Sequence, residues 1–336
     1  MVVSAAFVNS RTSHADFVWR IVLMFGAVPA TLTYYWRMKM PETARYTALV
    51  AKDAKKAASD MSSVLNMEIV PEEEGVNQLA RQGQYGLFSA EFARRHGIHL
   101  LGTSVCWLAL DITFYSLNLF MKEIFTNVGL IRTRDGDNPF KRMINVTALH
   151  TVIALCGTLP GYFFTVAFVD RIGRVRIQLL GFTMMSVFIV CLAGPYDQYW
   201  TEHKRGFAVM YGMTTFFANF GPNTTTFIIA AEIFPARLRS TCHGISGAFG
   251  KVGAIIGVFG FGLVLPAEKQ VRNEKQVRAI LFVLVGCNLV GLVFTLLLPE
   301  SKGMALEQIT GEIEEHEPQL DAAAVAAAEC VHEVPV

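Results

Sequence analysis

Long apolar runs separated by polar segments make up most of the chain. A run of about 20 apolar residues is the length that an α-helix needs to cross the hydrocarbon core of a bilayer. Such runs predict membrane helices over 17–38, 98–125, 143–169, 175–195, 206–234, 243–266 and 279–298. The pattern therefore predicts an all-α integral membrane protein with about seven transmembrane helices.

The ends of the first and last apolar runs repeat one short motif. PETARY follows the first run and PESKG follows the last, and in both the proline stops the helix before a polar segment begins. Six predicted helices separate the two motifs, which is typical of a protein built from two six-helix halves. We therefore expect the last helix of a first half, followed by an entire second half.

The polar segments complete this division. Segment 39–96 has mixed charge and contains AKDAKKAASDMSSVL at helical spacing, which predicts a cytoplasmic central loop with one surface helix. The segment after about residue 304 is acidic and then Ala-rich, which is typical of a solvated, largely disordered tail. The expected parts are a remnant of a preceding helix and its outer loop, the last helix of the first half, the central loop, a six-helix bundle and a cytoplasmic tail, at 1–16, 17–38, 39–96, 97–300 and 301–336.

Composition agrees with a membrane protein and excludes several functions. Hydrophobic residues make up 52% of the chain and charged residues only 17%, against roughly 25% in an average soluble domain. The net charge of +1 gives no indication of a nucleic-acid partner. The sequence contains no phosphate-cradling glycine loop, nucleophile elbow or metal-spaced His/Cys set, so it predicts no enzyme, no cofactor and no metal site.

Asp111 is the most informative residue in the apolar runs. A charged carboxylate in mid-membrane costs roughly 2.5–3.5 kcal/mol, so a helix retains it where it faces a wet cavity or a partner. Trp107, Tyr115 and Asn118 fall on the same side of the helix. This polar side predicts a pathway for a polar substrate or an ion. The alternative is a structural aspartate bonded to a neighbouring helix.

A second polar stretch, FFANFGPNTTTF, interrupts another predicted membrane helix. Pro222 breaks the helical hydrogen bonding, and broken helices at membrane depth are tolerated where they line a cavity. Asn219 and Asn223 lie four residues apart on one face. We expect them to line the same pathway, although a proline kink with interhelical amide bonds is an alternative. Lys251, in GAFGKVGAIIG, either joins the pathway by pairing with an acid or extends to the membrane interface.

Two short basic segments, VDRIGRVR and AEIFPARLRS, join predicted helices on one side of the membrane. Their positive charge places them in the cytoplasm. Their charged side chains predict a network that holds this side of a transporter shut, and simple topology signals are the alternative. The residues are Asp170, Arg171, Arg174, Glu232, Arg237 and Arg239.

These segments resemble a known superfamily. DRIGR, PETARY, AEIFPARLRS and PESKG resemble the inter-helix signatures of the major facilitator superfamily. WLALDITFYSLNLF and FGPNTTTF are similar to the seventh and tenth helices of plant and fungal phosphate:proton symporters, and the resemblance extends over residues 1 to about 315. It implies a partial major facilitator fold and phosphate contacts at Trp107, Asp111, Tyr115 and Asn223, with Asp111 also coupling protons.

The chain departs from that family in two respects. Leu117 and Met121 stand where the family often has amides, which predicts an altered outer entry. In that family the first half supplies the other wall of the site and a further acid, and we expect this sequence to lack that half. The implied function is proton-coupled phosphate uptake by an incomplete chain in the plasma membrane. Its partners would be phosphate, protons, the lipid bilayer, and either the missing half or a full-length transporter. A sugar-type porter and a non-transporting, partner-binding fragment are the alternatives.

Overall fold

The structure, a computed structural model, describes residues 15–40, 43–49, 51, 53–65, 85–131, 139–195, 199–264 and 274–310. Within these ranges the regular structure is entirely helical. Most of the predicted remnant 1–16, part of the central loop and most of the predicted disordered tail lie outside the described residues.

The first described helix is α1, Ala15–Lys39, which confirms a helix at the predicted run 17–38. Its described side chains from 19 to 40 are exposed. Two short helices follow, α2, Ala44–Leu49, and α3, Ala54–Leu65. The second of these is the predicted surface helix, and it packs against α2 through buried alanines.

The remaining helices form one bundle. They are α4 (Ala90–Leu119), α5 (Met121–Asn127), α6 (Pro139–Ile153), the π-helical turn Ala154–Thr158, α7 (Leu159–Ile172), α8 (Arg174–Ala193), α9 (Tyr199–Glu202), α10 (Lys204–Asn219), α11 (Pro222–Glu232), α12 (Arg239–Val264), α13 (Glu274–Thr295) and α14 (Leu306–Thr310). Five described helices are long and apolar enough to cross a membrane: Ala90–Leu119, Met143–Ile172, Arg174–Ala193, Arg239–Gly260 and Lys275–Thr295. They correspond to five of the predicted spans.

The predicted helix 98–125 has different bounds in the structure. It begins at Ala90, inside the predicted loop 39–96, because the Ser89 side chain caps it by accepting a hydrogen bond from the Phe92 N–H at 3.1 Å. It ends at Leu119, and the short helix α5 continues the chain. The polar composition of the first two turns concealed this start, although serine is a strong N-cap signal.

The predicted span 206–234 is broken in the structure, as the sequence indicated. α10 ends at Asn219 and α11 begins at Pro222. The Asn219 carbonyl at this break accepts hydrogen bonds from the Thr165 and Thr224 hydroxyls at 2.8 and 2.9 Å. The break is therefore stabilised by side chains that replace the missing helical bond.

α4 and α12 pack in close contact through glycines of α12. A Cβ atom at Gly253 would collide with the Leu108 carbonyl, and one at Gly257 would lie 2.7 Å from the Ile112 carbonyl. Because residue numbers rise together along the contact, the two helices run parallel. Absence of a side chain at these positions lets the two backbones meet.

Gln178 on α8 links its own helix to two others in the core, and the sequence analysis did not single it out. Its amide nitrogen donates to the Thr295 hydroxyl at 2.9 Å, and its amide oxygen accepts from the Thr225 hydroxyl at 2.9 Å. All three side chains are fully buried. This polar group is satisfied internally, so its role is to hold α8, α11 and α13 together.

Leu117 and Met121, at the predicted outer entry, lie inside an apolar cluster. Their exposed fractions are 3% and 1%, and they pack with Phe125, Phe207 and Tyr211. The Tyr211 hydroxyl donates to the Leu117 carbonyl at 2.6 Å. The prediction that these two residues alter an entry is therefore wrong in this structure, because they are enclosed by the bundle core.

Candidate functional site

Asp111 lies on the face of α4 that packs against α12. Its side chain is only 5% exposed. Gly250 makes room for it, because a Cβ atom there would lie 3.0 Å from Asp111 Oδ2 and 2.8 Å from Trp107 Nε1. Gly250 is therefore a site residue that sequence reasoning missed. Its signal was the run of small residues around Lys251 in GAFGKVGAIIG, which is typical of close helix packing.

Lys251 pairs with the acid across the helix contact. Its Nζ lies 3.8 Å from Asp111 Oδ2 and donates a hydrogen bond to the Tyr115 hydroxyl at 3.2 Å. The lysine side chain is 69% exposed whereas the aspartate is buried. Asp111 Oδ2 accepts no hydrogen bond from the described residues. Of the two alternatives for Lys251, the structure therefore supports pairing, at a distance that leaves the carboxylate unsatisfied.

Trp107 has an aromatic environment that the sequence did not predict. Its ring meets the His243 ring edge-on at a centroid distance of 5.4 Å, and that of Phe227 at 6.2 Å. The Phe227 and His243 rings are 4.6 Å apart. These contacts bring α4, α11 and α12 together on one side of Asp111.

Asn118 does not join this group through its amide nitrogen. That nitrogen donates to the Phe114 carbonyl of its own helix at 2.8 Å. The helical wheel predicts Asn118 on the polar side of the helix, and its described hydrogen bond is local. Of the predicted stripe, Trp107, Asp111 and Tyr115 are therefore the residues linked to α12.

A second polar group surrounds the broken helix. Asn223 Nδ2 donates to Asn219 Oδ1 at 2.7 Å and to the Tyr162 hydroxyl at 2.8 Å. Asn219 Nδ2 in turn donates to the Thr215 carbonyl at 2.7 Å. The predicted pair of asparagines is thus in direct contact, and Tyr162 on α7 is an additional member that the sequence analysis missed.

The two polar groups lie at the same level of the bundle. α11 runs antiparallel to α12, to which a short turn joins it, and hence antiparallel to α4. The rings of Phe227 on α11 and Trp107 on α4 are in contact. One helical turn from that contact, in the same direction along the bundle, α11 carries Asn223 and α4 carries Asp111. The sequence predicted the two groups separately, and the packing of α11 on α4 aligns them.

A charge cluster closes the end of the bundle formed by residues 170–176, 232–239 and 300–302, which we call the basic end. Arg174 forms a two-point contact with Glu232, Nε to Oε2 at 3.1 Å and Nη2 to Oε1 at 3.2 Å. Asp170 lies 2.9 Å from the same guanidinium, and the Ser301 hydroxyl donates to Glu232. Asp170, Arg174 and Glu232 therefore form the network that the sequence predicted.

Two of the other three predicted members, Arg239 and Arg171, have described contacts outside this network. The Arg239 Nε donates to the Phe234 carbonyl at 3.2 Å. Arg171 contributes its backbone carbonyl, which accepts from Lys302 Nζ at 2.5 Å. Among the described residues, neither Arg171 nor Arg237 makes a side-chain ion pair. Arg171 and Arg237 are exposed, and the membership of these three residues in the network stays a prediction.

Glu300 belongs to the basic end and was missed. Its carboxylate accepts hydrogen bonds from the backbone N–H groups of Arg174, Val175 and Arg176 at 2.8, 3.1 and 3.4 Å. It thereby caps the start of α8, where a negative charge is favourable. Gly173 permits this approach with a φ of 108° and no side chain. The signal was the PESKG motif, to whose glutamate the sequence analysis gave no role.

Known proteins share this architecture. A family model described as "Sugar (and other) transporter" matches residues 1–312. The solved proton:xylose symporter XylE, of the major facilitator superfamily, aligns with a TM-score of 0.67 at 16% identity, over 92% of this chain and 62% of that chain. At this identity the likeness shows the fold alone, which is a partial major facilitator fold.

Relatives in plants are closer in sequence. The chain is 66% identical to "Putative inorganic phosphate transporter 1-13" of Oryza sativa subsp. japonica, over 100% of this chain and 65% of that protein. It is 52% identical to "Low affinity inorganic phosphate transporter 1" of Petunia hybrida, over 94% of this chain and 62% of that protein. The chain thus spans less than two thirds of the length of these relatives. Because the family model covers most of its residues, this multi-pass membrane chain belongs to the sugar (and other) transporter family, whose members are transporters and not enzymes.

Proposed function

We propose that this chain forms one wall of a phosphate:proton symporter of the plasma membrane. The observation that carries the proposal is the buried Asp111 carboxylate, which faces Lys251 across a glycine contact and has one oxygen that accepts no hydrogen bond from the described residues. A buried, incompletely satisfied acid within a membrane helix is a functional site by default. The names of the plant relatives support inorganic phosphate as the proposed substrate.

The proposed coupling between proton binding and phosphate binding follows from the charges of Asp111 and phosphate. Phosphate is an anion, so an ionised Asp111 repels it at close range, whereas a protonated Asp111 donates a hydrogen bond to a phosphate oxygen. Protonation also releases Lys251 from its 3.8 Å ion pair, and the ammonium group then attracts the anion. Proton binding and phosphate binding therefore strengthen each other, which is thermodynamic coupling.

Neutral groups complete the proposed contacts. Trp107 supplies an indole N–H and Tyr115 a phenol, both on the face of α4 that meets α12. Asn223 on α11 is held beside these groups by the buried Asn219, and Asn118 lies about one turn beyond Tyr115 with its amide nitrogen bonded to the Phe114 carbonyl. Neutral donors hold an anion without the strong attraction that a cluster of cations would exert, so the anion can leave again.

Transport also requires a facing wall. The chain spans 60–65% of the length of the plant relatives, and we assign the facing wall to a further part of a transporter of their length. Alternating access would come from rocking of the two walls around the site. The charge cluster at the basic end, assigned to the cytoplasm, would hold that side shut. By this assignment residues 97–300 act as one six-helix unit and 39–96 as its linker.

The test uses a chimaera in which this chain replaces the segment that it matches in the 66% identical rice protein. Labelled phosphate uptake is measured in yeast that lacks its own phosphate uptake, across a range of external pH. We expect Asp111→Asn to abolish proton-dependent accumulation, while the same change at Asp60 on α3 leaves it intact. Unchanged accumulation by the Asp111→Asn chimaera would falsify the coupling role.

The same cells separate the alternatives. A sugar-type porter predicts that glucose competes with labelled phosphate, or that glucose itself accumulates; we expect neither. The chain of 336 residues expressed by itself should give no uptake, because one wall leaves the site open. Uptake by that chain alone would contradict the need for a facing wall.

A further inference from the structure

Tyr162 is fixed beside the broken helix by a close helix contact. Its neighbour Gly161 packs against the end of α10, where a Cβ atom would lie 2.6 Å from the Phe216 carbonyl and 3.0 Å from the Asn219 Cβ. The Tyr162 side chain leaves α7 at this point, and its hydroxyl reaches Asn223 at 2.8 Å. Tyr162 is therefore held at the level that Asn223 shares with Asp111.

The Thr215 carbonyl determines the direction of the hydrogen bonds that link Asn219, Asn223 and Tyr162. The Thr215 carbonyl can only accept, so Asn219 must turn its amide nitrogen towards it. The amide oxygen of Asn219 then points towards Asn223, which must donate a hydrogen bond from its own amide nitrogen. The Thr215 carbonyl thereby fixes the orientation of both amides.

These orientations determine which hydrogen-bond donors of Asn223 and Tyr162 remain available for a ligand. Asn223 Nδ2 has two hydrogens, and both are used, one by Asn219 Oδ1 and one by the Tyr162 oxygen. Asn223 thus retains only its amide oxygen, an acceptor, for a ligand. The Tyr162 hydroxyl accepts one bond and keeps its own proton to donate. The residue itself is 40% exposed, so the described part of the bundle does not enclose it.

We propose that the Tyr162 hydroxyl is the hydrogen-bond donor at this point of the site, and that Asn223 accepts from the ligand while it holds Tyr162 in place. The inference rests on the proposed function and refines it. A phosphate that carries one P–OH group matches the pair, because one of its charged oxygens accepts from Tyr162 while its P–OH donates to Asn223 Oδ1. Sulfate has no such hydrogen at neutral pH. The pair therefore selects protonated phosphate over sulfate.

The test is the Tyr162→Phe variant of the rice chimaera, which retains the ring and removes the hydroxyl. A hydrogen bond to a charged group contributes enough that the KM for phosphate should rise about tenfold or more, with Vmax and membrane level little changed. Tyr211→Phe is the matched control, because it removes a buried hydroxyl that bonds only a backbone carbonyl among the described contacts. Its KM should stay within twofold of the parent.

Competition by other oxyanions provides the second readout. Arsenate carries the same protonated oxygen and should compete with phosphate in the parent chimaera, whereas sulfate should not. An Asn223→Ala variant should lose affinity for phosphate while sulfate still fails to accumulate. A Tyr162→Phe KM within twofold of the parent overturns this inference while leaving phosphate transport standing. Absence of phosphate uptake by the parent chimaera overturns the proposed function and, with it, the inference.

Discussion

The Asp111 site and the basic end both pair acids with cations, but the acidic side chains in the two regions accept different numbers of hydrogen bonds. At the basic end, Glu232 receives two bonds from Arg174 and one from Ser301. At the site, Lys251 stays 3.8 Å from Asp111, whose Oδ2 accepts no described hydrogen bond. A fully bonded charge holds a structure together, whereas a partly bonded one retains capacity for a proton or a ligand.

The exposure of the cations follows the same division. The Arg174 side chain is 15% exposed and that of Lys251 is 69% exposed. A planar guanidinium that binds a carboxylate at two points is locked in position, whereas a lysine on a flexible stem can exchange one anion for another. The comparison therefore separates a cluster suited to hold one conformation from a site suited to bind and release.

The largest effect should come from filling the space that the site occupies. In the rice chimaera, Gly250→Ala places a methyl group against the Trp107 ring and 3.0 Å from Asp111 Oδ2, so both side chains must move. We expect phosphate uptake to fall at least about 100-fold, a size seen when site groups are misplaced by about 1 Å. Gly260→Ala on the same helix is the control, because nothing lies within 4 Å of its Cβ position. Equal uptake by the two variants would contradict the packing described.

Breaking the basic end should instead reduce stability. Glu232→Gln removes the charge that pairs with Arg174 in a mostly buried contact. We expect a loss of about 2 kcal/mol in the free energy of unfolding, measured by thermal unfolding in detergent. The KM for phosphate should be unchanged, because the cluster lies away from the site. A raised KM with unchanged stability would reverse the proposed division between the two regions.

Removing the cation of the site should have a smaller and more selective effect. Lys251→Gln leaves Asp111 and Tyr115 without their shared partner. Since Lys251 is exposed and screened by solvent, we expect the KM for phosphate to rise about tenfold, about 1.4 kcal/mol, with little change in the free energy of unfolding. Lys251→Arg, which retains the charge, is the control. Loss of stability without loss of affinity would make Lys251 a structural residue.

The smallest effect is expected at the exposed edge of the basic end. Asp170 pairs with Arg174 at 2.9 Å, but its side chain is 79% exposed. Exposed pairs of this kind contribute roughly 0–1 kcal/mol, so Asp170→Asn should change the melting temperature much less than Glu232→Gln. Uptake assays should show no change in KM. A loss as large as that of Glu232→Gln would indicate that the network acts as one unit.

Particular residues show how far the sequence could lead. The apolar runs located the bundle helices, and Asp111 and Pro222 marked the two polar groups, because a carboxylate or a helix break in lipid is costly enough to be informative. Ser89 shows the limit of the helix bounds, since polar residues hid the first turns of α4. Gly250, Tyr162 and Glu300 could not be assigned, since each acts on a residue far away in the sequence.

The sequence by itself therefore determined the helical membrane architecture and the positions of its polar interruptions, because apolar length and the cost of buried charge are local properties of the chain. Only the tertiary structure decided which polar residues meet, how far Lys251 stands from Asp111, and that the Tyr162 hydroxyl accepts a hydrogen bond from Asn223. Those properties depend on glycine contacts that bring α4 to α12 and α7 to α10, and on the number of donors that each acceptor finds within reach.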